Sequence, residues 1–181
     1  MAEQFPELTE KHTAFIDKQA IFFVATALEE GRINLSPKGM DSLKVLAPKR
    51  IAWLNMTGSG NETAGHIQEN ERMTIMWCSF EKAPLILRVY GTAKVLHTHD
   101  KEWNQYSSLW NEQHGKRQIF IVDIDTVQTS CGYAVPLMEL QGERDTLRKW
   151  SDAKGDEGIT NYWKEKNQST IDGTPTNIIP N

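Results

Sequence analysis

"WLNMTGSGNETAGHIQENERMTIMW", Trp53 to Trp77, decides the fold. It opens on an apolar run, breaks at Gly58 and Gly60, places Ala64 and Ile67 three apart, and closes with Met73, Ile75 and Trp77 in strict alternation. The pattern predicts strand, loop, helix and strand in that order. A glycine-broken loop running into a helix is the usual way to hold a phosphate. Unpaired backbone N–H groups and the positive end of the helix dipole both face the anion there. Glu62 stands where a cation would be expected, however, and Ser59-Gly60-Asn61-Glu62 also fits S-x-x-E, the capping box. The loop therefore has two readings, a phosphate cradle or a cap for its own helix.

Outward from this stretch, β-branched and aromatic runs alternate with turn residues. They are "AIFFVATAL", "RINLSP", "LKVLAP", "RIAWLNM", "RMTIMWCSF", "PLILRVYGTAKVLH" and "RQIFIVDIDTVQTS". Their spacing predicts a mainly β (α+β) antiparallel barrel of six to seven strands. Leu8, His12, Phe15, Ile16 and Gln19 share one helical face, so the first twenty residues read as a helix over the core. A further helix is expected over "DKEWNQYSSLWNEQ", where Trp103, Tyr106 and Trp110 recur at helical spacing and Asp100 is the candidate N-cap. Past Thr129 the character changes to an irregular segment, two small helices and an extended tail. Residues 1–130 are expected to form one domain and residues 131–181 a helical extension packed on it. Leu147 and Trp150 are the candidate anchors of the charged run "GERDTLRKWSDAKGDE".

The chain has 181 residues, 39% of them hydrophobic, and a formal net charge of -4. It is long enough for one well-buried core. The mild acidity argues against a nucleic-acid binder, whose affinity comes from clustered Lys and Arg. No apolar run approaches the roughly 20 residues needed to span a bilayer, and "MAEQFPELTEKH" lacks the order of a signal peptide. A cytoplasmic protein without membrane contact is expected. Cys78 and Cys131 show no CxxC spacing and are expected to be reduced, buried and inert. His97 and His99 share a strand face without a third ligand at sensible spacing, which reads as an exposed strand end rather than a metal site. Trp53 and Trp77 read as core. Arg88, an isolated charge in "LILRVYG", needs a partner, either a ligand phosphate or a carboxylate.

The combination of "INLSPKG", the Trp53–Trp77 stretch and "LRVYGTAKVL" resembles the flavin-binding split barrel of the pyridoxamine 5′-phosphate oxidase family. The most specific part is Ala64, Ile67, Asn70 and Arg72 in the order A-x-x-I-x-x-N-x-R. The resemblance covers roughly residues 20 to 130. "SCGYAVP", "GERDTLRKW" and "KNQSTIDGTPT" are similar to a sub-group of oxidases distinct from the vitamin B6 enzyme itself. It implies a split barrel and a homodimer with FMN at the interface. Asn34, Leu35 and Ser36 would line the ring edge, and Lys38 would face the phosphate. Thr57, Ser59, Asn61 and Thr63 would lie at the phosphate loop, and Arg88 would be a further cation. The vitamin B6 enzyme has an Arg-Lys pair in this loop, whereas this chain reads Asn61, Glu62 and Thr63.

Two functions follow. One is an FMN-dependent oxidoreductase of unknown small-molecule substrate, with no side chain standing out as its acid or base. The other is a split-barrel protein that binds flavin weakly or not at all and serves as a small-molecule-binding or interaction module.

Overall fold

The computed structural model describes residues 2–180. In chain order the elements are β1 (Glu3–Phe5), α1 (Glu10–Ile16), β2 (Phe22–Thr26), β3 (Asn34–Lys38), β4 (Leu43–Ala47) and β5 (Arg50–Met56). They continue with α2 (Glu62–Glu69), β6 (Arg72–Cys78), β7 (Ile86–His97), α3 (Trp103–Ser107), β8 (Lys116–Ser130) and α4 (Thr146–Lys166). All strands join one antiparallel sheet in the order β3-β2-β6-β7-β8-β5-β4, with β1 pairing to β8 beside this path. The sheet is open, so the barrel is split as expected, with seven strands on the main path and β1 as an eighth.

The register explains the sequence patterns. Val24, Ile51, Trp53, Ile75, Trp77, Val89, Phe120 and Val122 converge on the inner face, where Trp53 stacks on Phe120 with centroids 4.5 Å apart. On the other side of β5 and β8, Ala52, Leu54, Leu96, Ile119 and Ile121 form a second cluster with Trp110. Strands covered on both faces read as continuous apolar runs, which is why "IAWL" and "IFIV" do not alternate. Burying each large side chain of these clusters contributes about 1.5 to 3 kcal/mol. Both Trp53 and Trp77 are core residues.

Several expectations are corrected. The first twenty residues are a strand and a seven-residue helix rather than one helix, because Glu3–Phe5 finds a pairing edge on Val127–Thr129. Thr9 caps α1, accepting from the His12 amide. The helix after Asp100 is only Trp103–Ser107, and Asp100 does not cap it; its carboxylate accepts from the His97 amide at 2.7 Å. His97 is buried rather than exposed. Burial, then the charge of His99 stacked 5.3 Å away, lowers its pKa to about 4. Cys78 is buried, and burial raises its thiol pKa, but Cys131 is exposed. No helix among the described residues is long and apolar enough to cross a membrane.

α4 bends at Gly155, whose φ of 60° and ψ of 179° break the helical run into two short pieces. Ile159 and Trp163 on the second piece pack with Ile178 of the tail, and Trp150 stacks edge-on against Tyr162. The tail then crosses α2 at Gly65, where a Cβ would fall 2.4 Å from the Thr170 methyl. Only glycine lets the two backbones approach so closely.

Candidate functional site

The loop between β5 and α2 is held from beneath by a buried guanidinium. Arg117, at the start of β8, donates through one nitrogen to Gly58 O at 3.1 Å, Gly60 O at 2.9 Å and Asn167 Oδ1 at 2.9 Å. Asn167 follows α4 and is fully buried; its Nδ2 donates to Gly58 O at 3.0 Å and Ser59 O at 3.2 Å. Three successive carbonyls are thus gathered toward the protein. Among the described residues no protein acceptor takes the backbone N–H of Gly58, Ser59, Gly60 or Asn61. The loop therefore has the polarity of an anion cradle, with carbonyls satisfied inside and amides unused.

Glu62 does not close a capping box. The N-cap of α2 is Asn61, without a side-chain cap bond, and Glu62 is the first helical residue. Its carboxylate instead accepts from the Ile171 amide, at 3.2 and 3.1 Å through its two oxygens. The acid turns away to fasten the tail. Neighbouring ties are the ion pair of Arg32 with Asp172 and the hydrogen bond of Asn177 to Gln68.

Lys38 ends β3 on the inner face, half-buried, with Nζ donating to Asn55 Oδ1 at 3.2 Å and lying 5.4 Å from the Trp53 ring centroid. Asn55 in turn donates to Gln118 Oε1 at 3.1 Å. Burial, reinforced by the Arg117 charge, lowers the Lys38 pKa to about 8. Burial alone lowers that of Arg117 to about 10. Among the described residues neither cation meets a carboxylate, and Arg117 Nε has no acceptor at all.

The other residues named from sequence divide into four groups. Asn34, Ser36 and Thr63 come together: Asn34 Nδ2 donates to Thr63 Oγ1 and Thr26 Oγ1, both at 3.1 Å, and its Oδ1 accepts from Ser36 at 2.8 Å. Thr57 and Asn61 are already engaged. Thr57 Oγ1 donates to Gly115 O and accepts from Trp163 Nε1, while Asn61 Nδ2 donates to Asn167 O. Ser59 is exposed. Leu35 and Arg88 lie apart on the outer face, since the register aligns Pro37, Phe23, Met76 and Arg88 in one row and Lys38 with Phe22 in the next. The partner of Arg88 is the Ser130 hydroxyl at 3.2 Å, neither a carboxylate nor a residue of the loop. Arg117 and Asn167 were missed. Arg117 follows Lys116 and precedes Gln118 at the edge of the run "IFIV", so it lacks the isolated-charge signal that singled out Arg88.

A cleft of about 850 Å³ opens beside Lys38, between the β3–β4 turn, Phe80 and the segment from Met138 to Trp150. Its size suits a small organic molecule.

Residues 8–131 match the family model described as pyridoxamine 5′-phosphate oxidase. The pyridoxamine 5′-phosphate oxidase family protein ustO of Aspergillus flavus is 36% identical over 176 residues, covering 87% of this chain and 71% of that protein. HupZ of Group A Streptococcus superposes with a TM-score of 0.53 at 20% identity, covering 66% of this chain and 91% of that one. A candidate pyridoxamine 5′-phosphate oxidase of Lactobacillus delbrueckii gives 0.55 at 19%, covering 68% and 94%. At those identities the two structures speak for the fold alone. The family match over most of the chain and the 36% relative go further: this chain belongs to the pyridoxamine 5′-phosphate oxidase family.

Proposed function

We propose that the chain is an FMN-dependent oxidoreductase that seats the flavin phosphate at the Thr57–Asn61 loop. The observation that carries this reading is the pair of inward cations, Lys38 and Arg117, both without acidic partners beside a loop whose amides are unused. A buried or half-buried charge left unpaired is costly, and an arriving oxyanion offsets that cost. Lys38 would contact the phosphate directly, and the exposed Ser59 hydroxyl would donate to it. Arg117 would act from behind the loop through its charge and through the carbonyls it orients. The Asn34, Ser36 and Thr63 cluster would offer polar edges to the ring system. The flavin, when bound, supplies hydride-transfer chemistry; the protein supplies position and field. Pyridoxamine 5′-phosphate is not the favoured substrate, since the tail lies on α2 and the C-terminal extension brings to the cleft a single basic residue, Arg144, together with Glu139 and Glu143.

The family resemblance also supports a homodimer, with the cleft completed by the second copy. Ile33, just before edge strand β3, and Leu35 on it are 78% and 65% exposed, more apolar surface than one strand edge ordinarily leaves to water. A specific observation favours the alternative of a weakly binding or non-catalytic module: Thr57 and Asn61 spend their side chains on the C-terminal extension.

The test is the purified protein. Yellow colour with flavin absorbance, and a light-scattering mass twice the 20.6 kDa chain mass, are expected. A colourless protein that fails to quench added FMN fluorescence would favour the module reading.

A further inference from the structure

Two asparagines perform the same operation on the two cations of the loop site. Lys and Arg can only donate, so the amide facing each must present its oxygen. Asn55 gives Oδ1 to Lys38 and turns Nδ2 to Gln118; Asn167 gives Oδ1 to Arg117 and turns Nδ2 to Gly58 and Ser59. Gln118 Oε1 locks the orientation of Asn55, and the loop carbonyls lock that of Asn167. An aspartate at either position would still accept from its cation, and more strongly. It would also cancel the charge and lose the Nδ2 donor.

We propose that Asn55 and Asn167 are charge-preserving positioning residues. Each fixes a cation with a neutral oxygen, leaving both positive charges for a bound phosphate or phosphate monoester. This rests on reading the loop as a phosphate site. It goes beyond that reading by assigning the selectivity for a charged head group to two residues that need not touch the ligand. Packing alone does not account for the arrangement. Isosteric carboxylates would fill the same space, and surface cations such as Arg50 and Lys94 do take carboxylate partners.

The test compares Asn55→Asp with the parent using three probes on the full chain: inorganic phosphate, FMN and riboflavin, which lacks the phosphate. Phosphate and FMN affinities are expected to fall at least tenfold while riboflavin stays within twofold. The excess of FMN over riboflavin affinity should also lose most of its dependence on salt. Asn167→Asp should repeat the pattern; if its full burial prevents folding, Asn55→Asp decides alone. Unchanged phosphate and FMN affinities overturn the proposal, as does a parallel loss for all three probes together with a drop in melting temperature, the mark of a merely structural role. A parent that binds phosphate but neither flavin, with phosphate binding lost in Asn55→Asp, removes the flavin reading and leaves the asparagine assignment standing.

Discussion

Arg50 and Lys38 are both cations at strand ends of one sheet, yet their surroundings differ in kind. Arg50 donates to Asp123 at 2.7 Å in open solvent, and Lys94 reaches both oxygens of Glu102, at 3.1 and 2.9 Å. Lys38 and Arg117, on the loop side, meet amides and carbonyls, and Lys38 also the Trp53 ring, with no carboxylate partner among the described residues. Exposed ion pairs contribute between zero and about 1 kcal/mol, since water already screens both charges. The outer pairs are therefore incidental to stability. The inner cations, where screening is weak, are left unneutralised, which costs stability and preserves charge. The contrast teaches that acids are withheld from one region while they are freely placed in another.

The contrast breaks most visibly at Arg117. Arg117→Leu removes three hydrogen bonds, two of them the sole bonds to Gly60 O and Asn167 Oδ1 among the described residues, at about 1 kcal/mol or more each. Chemical denaturation should show a loss of about 3 kcal/mol; a loss under about 1 kcal/mol would mean that Asn167 alone carries the loop. At Lys38 the signs should split. Lys38→Met is expected to weaken FMN by about 1.5 to 3 kcal/mol, the scale of a charged hydrogen bond, and to stabilise the ligand-free protein at neutral pH. Its folded pKa of about 8 lies below the ordinary 10.5, so the unfolded chain binds the extra proton and parent stability rises between about pH 8 and pH 10.5. That rise should vanish in the variant's pH-dependent denaturation curve.

His97 sharpens the comparison at the opposite end of the pH range. Its folded pKa of about 4 lies below the ordinary 6.5, so the unfolded state takes up a proton first as pH falls from about 6.5 towards 4. The parent should lose about 3 kcal/mol across that window from this group, at 1.36 kcal/mol per unit. His97→Phe should flatten the curve there. Glu62→Gln keeps an acceptor for the Ile171 amide, so a change of about 0.5 to 1 kcal/mol is expected, with faster hydrogen exchange at Ile171 and tighter FMN at low salt. Equal FMN affinity at every salt concentration would place the phosphate away from this helix start. Arg50→Ala should leave the denaturation midpoint unchanged within error, since water already screens its pair with Asp123. A larger effect would erase the distinction between the two kinds of cation.

Much of the fold was legible because its signals are local. The strand, loop and helix around Gly58 are written in consecutive residues, and Lys38 stands at a strand end next to a turn. Arg117 was not legible, because period-two reasoning gives alternation but not which layer a face meets. Arg88, the isolated charge that the sequence does single out, lies on the outer face. Glu62 was misread for a related reason. The S-x-x-E pattern is a local explanation, and the tail amide that takes the carboxylate is 109 residues away. The N-terminal helix was overextended because pairing with β8 overrides the local preference of Glu3–Phe5.

The bond between Asn167 and the loop carries a consequence for how the protein is made. The loop residues precede Asn167 by more than a hundred positions, so the ribosome delivers the glycines long before the amide that fixes them. The sheet, rich in hairpin neighbours, can assemble early, whereas a closure spanning so much chain comes late, since its entropy must be lost before the contact is gained. The nascent protein should thus pass through a stage with a finished sheet and an unset loop. In that stage the carbonyls of Gly58 and Ser59 lack the amide that orients them, and setting the loop waits for the synthesis of Asn167.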